Sequence, residues 1–161
     1  MDQTFLEILI TRKRNALAGI LKIGSGIASG LLIIMTPYSI ACLFLAAASA
    51  ALAYYSYLQE WVEYEYSYVC RELTVDKIMA RSRRKTEADY ALEKIEAGAP
   101  EGSYHLDAYR GRSCEVRDYS SKNGGETFVF YYEGSVKVIL EKNEGLIQAL
   151  HGDAPGKIFL D

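Results

Sequence analysis

The feature that most constrains the fold is a long apolar stretch near the N-terminus, where no Asp, Glu, Lys or Arg occurs from Ile23 to Gln59. A helix needs about 20 mainly apolar residues to cross a bilayer, and the apolar run is about twice that length. It is interrupted at Thr36-Pro37, because proline lacks a backbone donor and restricts the residue before it. The pattern predicts a transmembrane helical hairpin over residues 16–59, with spans at about 16–35 and 39–58.

The basic residues on either side predict the orientation of this hairpin. Arg12–Arg14 precede the first span, residues 81–85 follow the second, and the loop between the spans carries no charge. By the positive-inside rule both termini lie in the cytoplasm, which predicts a multi-pass protein of the cell (inner or plasma) membrane. The same side chains are candidate contacts with an anionic lipid surface: Arg12, Lys13, Arg14, Arg81, Arg83, Arg84 and Lys85. A role in setting the topology would explain them equally well, so both interpretations stay open.

Polar and small residues inside the hairpin also allow alternatives. Lys22 has no acidic partner within either predicted span, so its side chain either extends to the nearby interface or faces a partner or an ion path. Gly26 and Gly30 form a GxxxG step, which favours close helix packing, either within the hairpin or against a second membrane helix. Residues 1–15 predict an interfacial segment, either a short helix in the membrane surface or an extension of the first span.

After the hairpin, residues 60–161 predict a cytoplasmic β-rich domain. Val62–Val69 alternates apolar with polar side chains, which is typical of a half-buried strand. Thr127–Tyr132 and Ser135–Leu140 predict a β-hairpin, and a terminal helix is expected to begin after Asn143 and to end at Gly152. The predicted fold class is an α+β membrane protein. Its two-helix transmembrane hairpin precedes a small antiparallel domain of about five to seven strands with a C-terminal helix.

Several segments carry a resemblance to a known bacterial arrangement: Glu63–Tyr68, Glu72–Ile78, Arg81–Lys85, Ile95–Pro100 and Val138–Leu150. In this order, behind a two-span hairpin, they resemble a family of small membrane-anchored bacterial proteins with a pleckstrin-homology-like cytoplasmic domain, to which no activity is assigned. The resemblance covers nearly the whole chain and implies a barrel that serves as a binding platform. The chain departs from the family pattern at Cys70-Arg71, where the turn is usually built on Asn-Gly.

No motif in the sequence indicates catalysis. His105 and His151 are the only histidines, and neither has the spacing of a metal ligand. A Cys114–His105 dyad can be drawn, but Cys114 is expected to lie in a strand. The three cysteines match no zinc or haem signature, and a net charge of −3 gives no general electrostatic footprint for nucleic acid. We expect no catalytic residue, no metal, no cofactor and no nucleic-acid partner.

Three functions remain compatible with this architecture. The first is a non-catalytic, membrane-tethered protein-interaction module or adaptor. The second is a sensor of anionic lipid surfaces that uses the basic cluster 81–85. The third is a small subunit or regulator of a membrane transporter, which Lys22 would face. The expected partners are the lipid bilayer and either another membrane protein or a second copy of the chain.

Overall fold

The structure, a computed structural model, describes residues 6–160. Within this range a first strand and two long helices are followed by seven strands and two further α-helices: β1 (Leu6–Thr11), α1 (Ala16–Ile34), α2 (Ala41–Glu60), β2 (Val62–Val69), β3 (Glu72–Met79), β4 (Arg83–Ala91), β5 (Ile95–Pro100), α3 (Asp107–Arg110), β6 (Glu115–Asp118), β7 (Thr127–Tyr132), β8 (Val136–Glu141) and α4 (Glu144–Asp153). The chain divides into two compact units. One, the hairpin unit, consists of residues 13–62 and 78–83, and the other, the strand unit, contains most of the strands and α4.

Helices α1 and α2 form the antiparallel pair that the apolar stretch predicts. The Asn15 side chain caps α1 by accepting a hydrogen bond from the Ala18 N–H at 3.3 Å. Small polar side chains join the two helices: the Ser29 hydroxyl donates to the carbonyl of Ala46 at 3.0 Å, and that of Ser49 donates to the carbonyl of Ser25 at 2.7 Å. The facing sides of the two helices are therefore joined by hydrogen bonds, and most of their buried residues are small, such as Ser25 and Ala46.

The large apolar side chains of this pair point outward instead. The exposed fraction is 68% for Ile20, 71% for Phe44 and 72% for Leu17. Both helices are long and apolar enough to cross a membrane. Their surface is thus the reverse of that of a helix in a water-soluble core, where such side chains would be buried.

The first sheet has the strand order β1-β2-β3-β4. Strand β1 pairs antiparallel with β2 from Leu6 opposite Tyr68 to Thr11 opposite Glu63. The short interfacial helix expected within residues 1–15 is therefore wrong for residues 6–11, and its remaining part, residues 1–5, lies outside the described residues. The apolar residues of this segment alternate between half-buried and exposed, and the edge of β2 supplies the backbone partners that make the extended form favourable.

The second sheet has the strand order β5-β7-β8-β6. The predicted β7–β8 hairpin is confirmed, with Phe128 opposite Leu140, whereas β6 pairs parallel to β8 and so departs from the expected antiparallel pattern. Strand β7 is buried on both sides, and Val129 and Tyr131 belong to an apolar cluster with Ala99 and Leu106. This burial explains why its sequence shows no alternation.

The inward side of β2 consists of tyrosines, as the alternation predicts, and Tyr66 and Tyr68 are almost fully buried. Leu146, Ile147 and Leu150 form the buried stripe of α4. This helix continues through Gly152 to Asp153, so the predicted stop at Gly152 is wrong by one residue. A terminal segment then runs beside β5, where Ile158 bridges Gly98 in parallel. Two backbone hydrogen bonds of 2.8 Å, each involving Gly98, hold this segment on the open edge of the sheet.

Candidate functional site

The most unusual group of the hairpin unit is Glu60, the last residue of α2, whose side chain is only 1% exposed. Its Oε1 atom accepts hydrogen bonds from Arg14 Nε at 2.9 Å and from Arg14 Nη2 at 2.5 Å. Its Oε2 atom accepts a hydrogen bond from Lys22 Nζ and forms an ion pair with it. One carboxylate thus binds two cationic side chains, Arg14 just before α1 and Lys22 in the first half of α1.

The backbone at the start of α1 makes room for this carboxylate. A Cβ atom at Gly19 would lie 3.2 Å from Glu60 Oε1 and 3.4 Å from Arg14 Nη2, so only glycine leaves the site open without a shift. The Asn15 N–H donates to the Glu60 carbonyl at 3.2 Å, which places the beginning of α1 beside the end of α2. Lys22 lies about two helical turns from the start of α1, and its side chain extends back toward this end to meet Glu60.

Aromatic rings surround these charges. The guanidinium carbons of Arg14 and Arg81 lie 5.5 and 5.7 Å from the ring centre of Trp61. Two more cations lie near a ring: Lys22 Nζ is 5.9 Å from the ring centre of Tyr57, and the guanidinium carbon of Arg83 is 5.7 Å from that of Tyr54. These distances are within the range of cation–π attraction. We call this group the basic–aromatic cluster: Arg14, Lys22, Tyr54, Tyr57, Glu60, Trp61, Arg81 and Arg83.

The cluster has an open cavity and an excess of positive charge. Tyr57, Trp61, Ala80 and Arg81 line a cavity of about 330 Å³. The turn that carries two of these residues is fixed by a hydrogen bond of 2.9 Å from the Ala80 N–H to the Trp61 carbonyl. Residues 13–62 and 78–83 contain five basic residues and a single acid, so the unit has a net charge of +4.

The seven predicted lipid contacts do not share one environment. Arg14, Arg81 and Arg83 belong to the basic–aromatic cluster. Arg12, in the other unit, donates to the Tyr64 hydroxyl at 2.9 Å. The side chains of Lys13 and Lys85 are exposed. The predicted set is thus brought together only in part.

Arg84 is held within the strand unit by carboxylates. Its Nε atom donates to Asp76 Oδ2 at 2.6 Å, and its Nη2 atom donates to Glu65 Oε1 at 2.7 Å. A hydrogen bond with Glu7, followed by burial, raises the pKa of the Glu65 carboxyl above its ordinary value, although Arg84 opposes the shift. Arg84 therefore neutralises acids of its own sheet.

The structure places the two predicted packing glycines away from the α1–α2 contact. A Cβ atom at Gly26 or Gly30 would have no neighbour within 4 Å, and both residues are exposed. The alternative in which they pack within the hairpin is therefore wrong, because Ser25 and Ser29 occupy that contact. Packing against a helix of another molecule stays a prediction.

The sequence interpretation missed Glu60, because the predicted second span ended before it. It also described Lys22 as lacking an acidic partner in either span, and the ion pair with Glu60 corrects this. The sequence did contain a signal for this ion pair. In an antiparallel helical hairpin, the start of the first helix lies beside the end of the second, so Lys22 and Glu60 are expected at the same end.

The residues considered for catalysis have other contacts. The ring of His105 stacks on Phe159 with ring centres 3.7 Å apart, and the thiol of Cys114 lies 3.9 Å from the Gly134 carbonyl. Among residues 6–160, no group of three His, Cys, Asp or Glu side chains is arranged to hold a metal ion. The basic–aromatic cluster is therefore the candidate site, because it gathers charged and aromatic side chains around one buried carboxylate.

Comparison with protein families gives one match. The model of a family described as "Bacterial PH-like domain (DUF6106)" matches residues 2–160, which is nearly the whole chain. The match confirms the resemblance inferred from the sequence, and the two sheets with a C-terminal helix are consistent with it. A comparison with curated proteins found no match.

Proposed function

The chain belongs to the bacterial PH-like domain family, and from this membership we propose that it is a non-catalytic, membrane-tethered interaction module. The observation that carries the proposal is the outward-facing apolar surface of α1 and α2, which a bilayer would cover. The hairpin would be the tether, and the two-sheet domain would be the part presented to partners.

The connectivity supports a hairpin with both ends on one side of the membrane. The chain leaves β1 at Thr11 and returns to β2 at Glu63, and these two residues are paired. Between them, Asn15 and Glu60 bring the two helix ends together. The net charge of +4 in this unit favours the cytoplasmic side for that end.

The tether is tested with the native cysteines. In a Cys42→Ala, Cys114→Ala background, the exposed Cys70 is the only remaining thiol. We expect the protein to stay in the membrane pellet after alkaline carbonate extraction. We also expect an impermeant maleimide to label Cys70 only after spheroplasts are permeabilised. Release by carbonate would contradict the tether, and labelling of intact spheroplasts would contradict the cytoplasmic orientation.

The interaction role is tested on the open glycine face of α1. Full-length protein is recovered from mildly solubilised native membranes and its co-purifying proteins are identified by mass. If that face packs against a partner helix, Gly26→Leu and Gly30→Leu should remove a stoichiometric partner or the self-associated form. Ala47→Leu, which places the same side chain at an exposed position of α2, should not. Recovery of the protein alone in every case would contradict the interaction role.

A second candidate function, sensing of anionic lipid surfaces, is favoured by the net charge of the hairpin unit. Charge reversal at Arg84 would break ion pairs to Asp76 and Glu65, so the cleaner substitutions are Arg83→Glu and Lys85→Glu. We expect them to weaken the docking of the strand unit on vesicles that contain anionic lipid, measured by protease protection. Unchanged protection would contradict the lipid-sensing function.

A further inference from the structure

We propose that the open edge of β1 is a docking site for an extended, basic segment of a partner protein, which adds a strand to the first sheet. This inference rests on the proposed interaction role and names the chemistry of the partner. The site lies within the strand unit. It combines the backbone of Leu6–Thr11 with acidic side chains on the outer side of the sheet, the side opposite to the β2 tyrosines.

Strand β1 is the end strand of its sheet. It pairs with β2 along its whole length, and no other strand among residues 6–160 pairs with its second edge. In an antiparallel pair, every second residue directs its backbone N–H and C=O groups away from the neighbouring strand. Leu6–Thr11 therefore offers about three donors and three acceptors to an added strand.

This edge lacks the protection that end strands usually have. At β5 the edge is covered, because Lys157–Phe159 forms two backbone hydrogen bonds with Gly98. Strand β1 contains no proline and no lysine, and its register with β2 runs without a bulge. Its sequence is mostly apolar, and the side chain of Leu9 is 56% exposed. An apolar end strand with a free backbone edge favours the addition of another strand.

The outer side of the sheet determines the charge of that strand. Glu65 forms a hydrogen bond with Glu7, and Arg84 donates to both Glu65 and Asp76. Three acids are thus connected to a single cation. Two carboxyl groups can share a hydrogen bond only if one of them holds a proton, because an ionised carboxylate is solely an acceptor. Glu7 is exposed, and within residues 6–160 it has no ion pair with a basic side chain.

A strand added to β1 places a side chain directly opposite Glu7, at a distance of about 5 Å between Cβ atoms. A lysine or arginine at that position pairs with Glu7, whereas an acid is repelled. On the inner side, Ile8 and Ile10 are half-buried, and apolar side chains of the added strand extend this surface. The occupant therefore alternates basic with apolar residues. Since the whole chain carries −3 and the hairpin unit +4, the strand unit carries −7, which attracts the same kind of segment.

The probe is a synthetic peptide that alternates lysine with valine. It is added to full-length protein in nanodiscs of zwitterionic phosphatidylcholine, so that the membrane itself does not attract it. Hydrogen exchange measured by mass spectrometry locates the peptide, and fluorescence anisotropy of the labelled peptide gives its affinity. We expect slower exchange in Leu6–Thr11 and unchanged exchange in β4 and β6. Slower exchange confined to β4 or β6 would overturn the proposal.

Two altered peptides test whether backbone pairing carries the affinity. One has the same residues in two blocks, all lysines before all valines, and the other is methylated on every backbone nitrogen. We expect both to bind about tenfold more weakly or less, because the first loses the alternation and the second loses its backbone donors. If either peptide binds as tightly as the alternating one, the attraction does not depend on an added strand, and the proposal is overturned.

Substitutions locate the charge contact. Glu7→Lys should weaken binding of the alternating peptide by about fivefold or more, because a like-charged pair replaces an opposite one. Glu72→Lys is the matched control, since it makes the same change of charge at an exposed position of β3 in the same unit. Equal weakening by both would show a diffuse attraction and overturn the proposal. Hydrogen exchange of the free variants verifies that β1 still pairs with β2, and Glu7→Gln repeats the test without a new positive charge.

Two outcomes separate this site from the interaction role on which it rests. If the peptide leaves the exchange of β1 unchanged, the docking edge is overturned, while a stoichiometric partner recovered from native membranes would still support the interaction role. If β1 is protected without peptide, and more so at higher protein concentration, a second copy of the chain occupies the edge. That result would keep the interaction role and overturn the assignment of a basic partner.

Discussion

Replacing Tyr66 with phenylalanine removes one hydroxyl from the centre of the two-sheet domain, where the side chain is fully buried. That hydroxyl donates to the carbonyl of Tyr119 at 2.7 Å and accepts from the Glu141 N–H at 3.2 Å. It therefore joins β2 of the first sheet to the end of β8 and the segment after β6 in the second. Burial raises the pKa of Tyr66 above its ordinary value, so the hydroxyl remains a donor at neutral pH.

The loss of stability follows from the two backbone groups that the substitution leaves without a partner, the Tyr119 carbonyl and the Glu141 N–H. A buried backbone group that loses its hydrogen bond costs about 1–3 kcal/mol. Phenylalanine keeps the ring contacts, so we take about 1–1.5 kcal/mol for each group, the lower end of that range. We therefore expect Tyr66→Phe to lower the free energy of unfolding by about 2–3 kcal/mol in total. That loss raises the fraction of open molecules by roughly 30- to 150-fold.

The assay uses Cys114 in the full-length protein, with Cys42 and Cys70 replaced by alanine. This thiol is half-buried, and its rate of maleimide labelling at increasing urea reports how often the domain opens. Tyr68→Phe is the matched control: its hydroxyl donates to Asp153 Oδ2 at 2.5 Å, and Asp153 is exposed and regains water. We expect the control to cost about 1 kcal/mol or less. A labelling rate for Tyr66→Phe within threefold of wild type, or equal effects in both variants, would refute the reasoning.

Three further predictions concern the same unit. Arg71 has φ +66°, so Arg71→Gly should raise the free energy of unfolding by about 0.5–1 kcal/mol, measured by urea unfolding; a loss of stability would contradict this. Ile158 is fully buried, so Ile158→Ala should lower the same quantity by about 2–5 kcal/mol, and a change below about 1 kcal/mol would show that the terminal segment does not pack on β5. Because the folded pKa of Glu65 is raised, mainly by Glu7, stability should fall as the pH rises through that pKa. Glu7→Gln should lower this pKa and flatten that part of the pH dependence, which NMR titration of Glu65 and urea midpoints at each pH would detect; an unchanged pKa would exclude Glu7 as its cause.

Local patterns in the sequence were sufficient for the elements that depend on neighbouring residues. The absence of charge between Ile23 and Gln59 predicted both long helices, and Pro37 predicted the break between them. The alternation of Val62–Val69 predicted β2 and its buried tyrosine face. In these segments the hydrophobic period and the backbone preference agree, so no distant contact is needed to decide the structure.

Elements that depend on distant partners could not be predicted in this way. Leu6–Thr11 carries enough apolar residues for a short helix, and it becomes a strand because β2, more than 50 positions away along the chain, offers an open edge. The positive φ of Ala80 and Arg81 could not be predicted, because the turn contains no glycine or asparagine. The basic–aromatic cluster needs this turn, so the sequence indicated its basic residues but not its geometry.

The hairpin is in effect an insertion in the connection between two neighbouring strands. Thr11 and Glu63 are paired across β1 and β2, yet all of α1 and α2 lies between them in the chain. Closing a loop of this length before the sheet forms is entropically unfavourable, but a helix pair whose ends meet at Asn15 and Glu60 shortens the effective connection to a few residues. The ion pairs of Glu60 hold these ends at the point where the chain enters and leaves the hairpin.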